Sequence, residues 1–82
     1  MFTGKNYEEA VRLYTQAIRF KADSIFFANR AACFANLGKQ DNVIEDCNSA
    51  LKLDPVYVKA LNRRALAFEK KGELTNSLYG KV

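Results

Sequence analysis

The chain repeats itself. Displaced by 34 residues, Arg30 falls on Arg64, Ala31 on Ala65, Phe34 on Phe68, Gly38 on Gly72 and Asn42 on Asn76, while Phe27 falls on the equally apolar Leu61. The first third needs a displacement of 33: Val11 then falls on Ile44, Ala17 on Ala50, Ile18 on Leu51, Arg19 on Lys52, Phe20 on Leu53 and Ala10 on Val43. The registers differ by one because the connection around Lys21–Ser24 is one residue short. Recurrent small, aromatic and glycine positions at such a period define a supersecondary unit that buries its apolar face on its neighbours.

Within each unit the period is helical. Phe27, Ala31, Phe34 and Leu37 recur at spacings of three and four, and Leu61, Ala65 and Phe68 repeat that face. Val43, Ile44, Cys47, Ala50 and Leu51 form a second stripe, and Ala10, Val11, Tyr14, Ala17 and Ile18 a third. Gly38 and Gly72 each follow a helical stretch, where a left-handed cap is wanted. Asp54-Pro55 reads as an N-cap followed by proline at the first helical position. The expected helices are Lys5–Phe20, Ser24–Leu37, Gln40–Leu53, Val56–Lys71 and Glu73–Leu78, with no strand. Arg30 and Arg64 recur at a packing position, so their aliphatic stems are expected along the helix interface.

Composition removes several functions. There is no His, so neither a His-based triad nor a mixed Cys/His zinc site can be built. Two cysteines, Cys33 and Cys47, are too few for a four-Cys site or a disulfide framework. Cys47 falls on an apolar stripe and Cys33 has no His to activate it, so both read as free, uncatalytic thiols. No nucleophile–base constellation and no Gly-rich phosphate loop is present, so the expectation is a non-enzyme without metal or cofactor. No apolar run is long enough to cross a bilayer, and the opening MFTGKNYEEA lacks a signal-peptide core. The net charge of +4 is spread among alternating signs, unlike the dense basic stripe of a nucleic-acid binder.

Paired helices at this period, with Phe27, Ala31 and Phe34 at large, small and aromatic positions, a turn at Gly38 and a closing Pro55, resemble the tetratricopeptide (TPR) repeat. The resemblance implies an all-α fold of antiparallel helix-turn-helix units stacked as a right-handed superhelix. It divides the single domain 1–82 into 1–21 (second helix of a first repeat), 24–55 (a complete repeat) and 56–82 (a third repeat, truncated). In this frame the chain reads as a fragment of about two and a half repeats. Two departures stand out: Ala22 replaces the usual closing proline of the first unit, and Ser77 the usual alanine of the last helix. The apolar face of Tyr7–Phe20 is left to pair with something, a second copy of the chain being one candidate.

First helices of TPR units line a concave groove. The resemblance places Asn29, Ala32 and Asn36 there from one unit and Lys59, Asn62, Arg63, Leu66 and Lys70 from the next. Lys59 and Arg63, four apart, share a helix face, and Asn29 precedes Arg63 by one repeat. An amide, an ammonium and a guanidinium together suit a carboxylate. NRAACF (Asn29–Phe34) and VKALNRRA (Val58–Ala65) are similar to the carboxylate-clamp TPR domains, which grip the C-terminal EEVD tail of cytosolic heat-shock chaperones. By that resemblance Asn29, Lys59 and Arg63 bind the tail carboxylates, and Ala32, Asn36, Asn62 and Leu66 supply further groove contacts. The Lys and Asn of the family's first clamp helix have no counterpart.

VKALNRRA and the short connection in RFKADSIFFANR look most similar to receptors of the mitochondrial outer-membrane import translocase. That implies chaperone tails and mitochondrial preproteins as partners, and a cytosol-facing site on the outer membrane with its anchor outside this chain. The alternatives are a cytosolic co-chaperone adaptor and a structural TPR scaffold or dimerisation unit without a peptide site. Single-stranded RNA reading needs code positions in more units than are present, so no nucleic acid is expected.

Overall fold

The computed structural model describes residues 4–78, with side chains from 6 to 72. They form four helices: α1 Gly4–Phe20, α2 Ser24–Asn36, α3 Gln40–Leu53 and α4 Val58–Leu78. No strand occurs among them. Each helix packs on the next in sequence, and α2 also meets α4. Connections of three or four residues fold successive helices back on one another.

The turns follow from local chemistry. Asp23, in extended conformation, caps α2: its Oδ1 accepts from the Ile25 amide at 2.8 Å. Gly38 has φ +76° and closes α2. Its N–H donates to the Ala35 carbonyl at 3.1 Å and the Lys39 N–H reaches back to Phe34 at 3.0 Å, the paired bonds of a Schellman cap.

Two expected stops fall elsewhere. Asp54-Pro55 does not open the fourth helix. Asp54 ends α3, its N–H donating to Ala50 at 2.8 Å. Its side chain then accepts from the Val56 amide at 3.3 Å and its carbonyl from Tyr57 at 3.1 Å, making a tight turn. So α4 starts at Val58 instead of Val56. Nor does Gly72 end a helix as Gly38 does: α4 runs through it to Leu78, joining the two helices expected there. Glycine permits a left-handed cap without compelling one. Asn76 and Ser77 lie outside the residues whose side chains are described.

The core is built from small side chains. Ala31, Val43, Cys47, Ala50 and Ala60 are fully buried and Ala67 nearly so, flanked by Phe27, Phe34, Ile44, Leu51 and Tyr57. Alanines on facing helices let α2, α3 and α4 approach closely, while the aromatics fill the flanks. The face of α4 expected to match α2 does not bury. Leu61 and Phe68 are 38% and 55% exposed, and Ala65 is exposed as well. On α2 that face lies under α3, but no helix turns back over α4 among the described residues.

One polar cluster ties three helices. Arg30 on α2 donates from Nε and Nη2 to both carboxylate oxygens of Asp46 on α3, at 2.8 and 2.7 Å, and from Nη1 to Thr15 Oγ on α1 at 2.9 Å. The guanidinium lies 5.7 and 5.8 Å from the Phe27 and Phe34 ring centres. Arg30 is thus structural through its head group as well as its stem. Arg64, one repeat on, donates to Asn48 Oδ1 at 2.7 Å, and Asn48 is the register equivalent of Thr15.

Three stability predictions follow, all read by urea denaturation. Gly38→Ala should lower stability by roughly 1 kcal/mol, since an added Cβ meets nothing and only φ is strained. Gly72→Ala should raise it by roughly 0.5–1 kcal/mol, because there glycine interrupts a helix with open space around it. Arg30→Met should cost about 3 kcal/mol by stranding the buried Asp46 carboxylate, and adding Asp46→Leu should restore much of that. Additive losses would mean that the pair does not act as a unit.

Candidate functional site

The groove arises where α2 and α4, equivalent helices one repeat apart, lie side by side. Ala32, Ala35 and Asn36 come from α2, and Lys59, Asn62, Arg63 and Leu66 from α4. Together they line an open concavity of about 500 Å³. A smaller one of about 180 Å³ continues it, sharing Ala35, Asn36, Arg63 and Leu66 and adding Gln40 from α3 and Lys70 from α4. The alanines make a shallow floor, and the longer side chains of α4 form the wall.

That wall is cationic. Lys59, Arg63 and Lys70 fall within a narrow arc of α4 at 100° per residue. Among the described residues no carboxylate lines either concavity. Among the described residues, none lies within ion-pair distance of these three cations. Lys59 and Lys70 are exposed and Arg63 is half-buried. The apolar element is Leu66, 52% exposed. Such a surface suits an extended anionic chain with an apolar side chain.

Of the residues expected in the groove, Ala32, Asn36, Lys59, Asn62, Arg63 and Leu66 line the larger concavity, and Lys70 the smaller. Asn29 is exposed on α2, three residues before Ala32, and lines neither. Asn36 donates from Nδ2 to its own helix at the Ala32 carbonyl, 2.9 Å away, which leaves its oxygen for a ligand. Ala35 and Gln40 were missed. Ala35 follows Ala32 by one helical step, which the spacing alone could have flagged.

Cys33 and Cys47 are buried. Burial pushes both thiols up from the ordinary value, and the nearby Arg63 charge opposes this only in part. Both are therefore neutral around pH 7. The prediction is slow reaction with a disulfide reagent at pH 8 in the fold, becoming rapid in denaturant. The folded state holds these protons more tightly. Their stabilisation is therefore complete below the ordinary thiol value of 9.0 and is lost as pH rises through the higher folded values. Fast labelling of folded protein would show that the thiols are accessible.

Comparison with known proteins places the chain. It is 36% identical over 78 residues to the mitochondrial import receptor subunit TOM70 of Saccharomyces cerevisiae, a match covering 95% of this chain and 13% of that protein. It is 48% identical over 75 residues to TOM70 of Rattus norvegicus, covering 84% and 12%. The heat shock protein STI1 of Saccharomyces cerevisiae is 33% identical over 75 residues, covering 89% and 13%. The TPR repeat-containing thioredoxin TTL4 of Arabidopsis thaliana is 40% identical over 64 residues, covering 77% and 9%. The chain thus spans 13% or less of the length of each of these relatives. No family profile and no solved structure matches it. No helix among the described residues is long and apolar enough to cross a membrane. With the repeat, the stacked helix pairs and these relatives in agreement, the chain is a tetratricopeptide-repeat domain similar over most of its length to part of the import receptor TOM70.

Proposed function

We propose that the groove between α2 and α4 is a peptide-binding site for the acidic, EEVD-type C-terminal tail of heat-shock chaperones. The observation that carries this is the convergence of Lys59 and Arg63 on one open concavity that no carboxylate lines among the described residues. Arg63 pairs with a tail carboxylate through its planar fork, and Lys59 adds a point charge one helical turn away. Asn29 donates from the neighbouring helix at the groove's margin. Leu66 receives an apolar side chain upstream of the terminus, and Asn36 and Asn62 meet the peptide backbone. No step of this requires catalysis, a metal or a cofactor.

The similarity to an import receptor and to a heat shock protein supports the wider setting. In that setting the domain belongs to a receptor at the cytosolic face of the mitochondrial outer membrane, which docks chaperones carrying preproteins. A cytosolic co-chaperone adaptor would use the same groove.

The test is a titration of the chain with a labelled peptide ending in EEVD, beside the same peptide amidated at its terminus. Binding should require the free carboxylate and weaken with added salt. Lys59→Ala and Arg63→Ala should each reduce affinity about 10- to 100-fold, as expected for the loss of a charge-assisted hydrogen bond, with helicity unchanged. Asn29→Ala should cost less, since Asn29 lies outside the lining. Equal affinity for both peptides, or indifference to Lys59 and Arg63, would overturn the reading.

A further inference from the structure

The two concavities of the groove differ in kind. The larger, of about 500 Å³, is wide enough for a length of backbone, whereas the smaller, of about 180 Å³, has room for one side chain. The base of the smaller one is apolar. Val43 and Ala67 there are 0% and 2% exposed, and Leu66 stands beside them. Its rim carries the Gln40 amide from α3 and the Lys70 ammonium from α4. An apolar base under a rim of donors fits a side chain with a methylene stem and an anionic head. Glutamate has that form, and aspartate is one methylene short of it.

Helix α4 sets the distance between the two. Lys59, Arg63, Leu66 and Lys70 stay within an arc of about 60° at about 100° per residue, so they form a row along the helix axis. At about 1.5 Å per residue, Arg63 lies about 6 Å from Lys59 and Lys70 about 16 Å from it. The concavities share Ala35, Asn36, Arg63 and Leu66, so a chain leaving the larger enters the smaller. A carboxyl terminus held between Lys59 and Arg63 leaves about 13 Å to Lys70. An extended chain covers that span in about four residues, at about 3.3 Å each.

We propose that the smaller concavity is a specificity subsite for a glutamate four residues before the peptide's last, the position directly upstream of an EEVD ending, and that Lys70 selects its charge. The proposal rests on the reading of Lys59 and Arg63 as holders of the terminal carboxylate, which fixes the register. The glutamate stem lies over Val43, Ala67 and Leu66, its carboxylate meets Lys70, and Gln40 donates from α3. A glutamine there fits the shape without the charge, and a lysine sets its ammonium against Lys70. Lys59 and Arg63 thereby select the end of the peptide, and Lys70 selects what precedes that ending.

Labelled peptides ending in EEVD, with Glu, Gln or Lys at the preceding position, test this when titrated against the chain and its Lys70→Gln and Lys70→Glu variants. Lys70 is exposed, so both variants should keep their helicity. The Glu peptide should bind about three- to tenfold more tightly than the Gln peptide, and the Lys peptide more weakly than either. Lys70→Gln should erase the difference between Glu and Gln. Lys70→Glu should reverse the order of Glu and Lys. Moving that Glu two residues further upstream, with Ala in its place, should lose the gain. A Glu preference that survives in Lys70→Gln, indifference at that position, or a gain that persists when the Glu is moved would each overturn the proposal. The amidated peptides tell which reading has failed. Indifference to the preceding residue together with a strict need for the free terminus overturns the subsite alone. Equal binding of acid and amide overturns the register, and with it both readings.

Discussion

Much of the structure depends on the bond between Arg30 and Asp46. Asp46 is 4% exposed, and a carboxylate at that depth is tolerated only when its charge and lone pairs are met. Arg30 meets both oxygens, and its remaining arm holds Thr15 on α1. The rings of Phe27 and Phe34 flank the guanidinium, 5.7 and 5.8 Å from it, and add cation–π attraction. Hydrogen bonding to Asp46 raises the pKa of the arginine further, outweighing the burial that would lower it. One side chain of α2 thus sets the positions of the helices before and after it. The alanine floor of the groove belongs to the same helix. Its position relative to α4 depends on α3, which Arg30 and Asp46 hold.

The same accounting explains why a modest net charge can produce a distinctly cationic groove. Asp46 is spent on Arg30, Asp23 on capping α2, Asp54 on the turn before α4, Asp41 on Lys71 and Glu9 on Arg12. These are structural commitments made away from the concave side. What remains there is Lys59, Arg63 and Lys70 with amides and alanines between them. Charge is segregated because these carboxylates are engaged elsewhere, by backbone amides at Asp23 and Asp54 and by cations at Asp46, Asp41 and Glu9. The overall composition would not show it.

The sequence was legible where a residue's role is set by its own helix. The stripes of α1 and α3, the buried Ala31 and the left-handed Gly38 follow from local spacing, and three helices begin within one residue of their expected positions. It was less legible where the answer depends on what lies opposite. Leu61, Ala65 and Phe68 have the pattern of a buried face, but burial needs a second surface, and α4 continues as helix where one was expected to return. Gly72 occupies the repeat position of Gly38, yet of the two only Gly38 takes the positive φ. Nothing in the local spacing marks Asp46, whose partner Arg30 lies sixteen residues away on another helix. Asn29 has the right register for the groove, but its exposed position outside the lining residues could not be read from spacing.

A stacked array is held together by nearest neighbours, so each unit is only as stable as the faces beside it. The interior interface between α2 and α3 has both components such packing can offer, apolar contact and a satisfied buried ion pair. At α1 the ion-pair position is occupied by Leu13, and at α4 the arginine is already engaged by Asn48. An apolar face without its polar partner accepts any surface of suitable shape, whereas the Arg30–Asp46 pair accepts one register. Packing specificity among the described helices is therefore greatest where α2 meets α3. The groove between α2 and α4 inherits the geometry that Arg30 and Asp46 fix through α3.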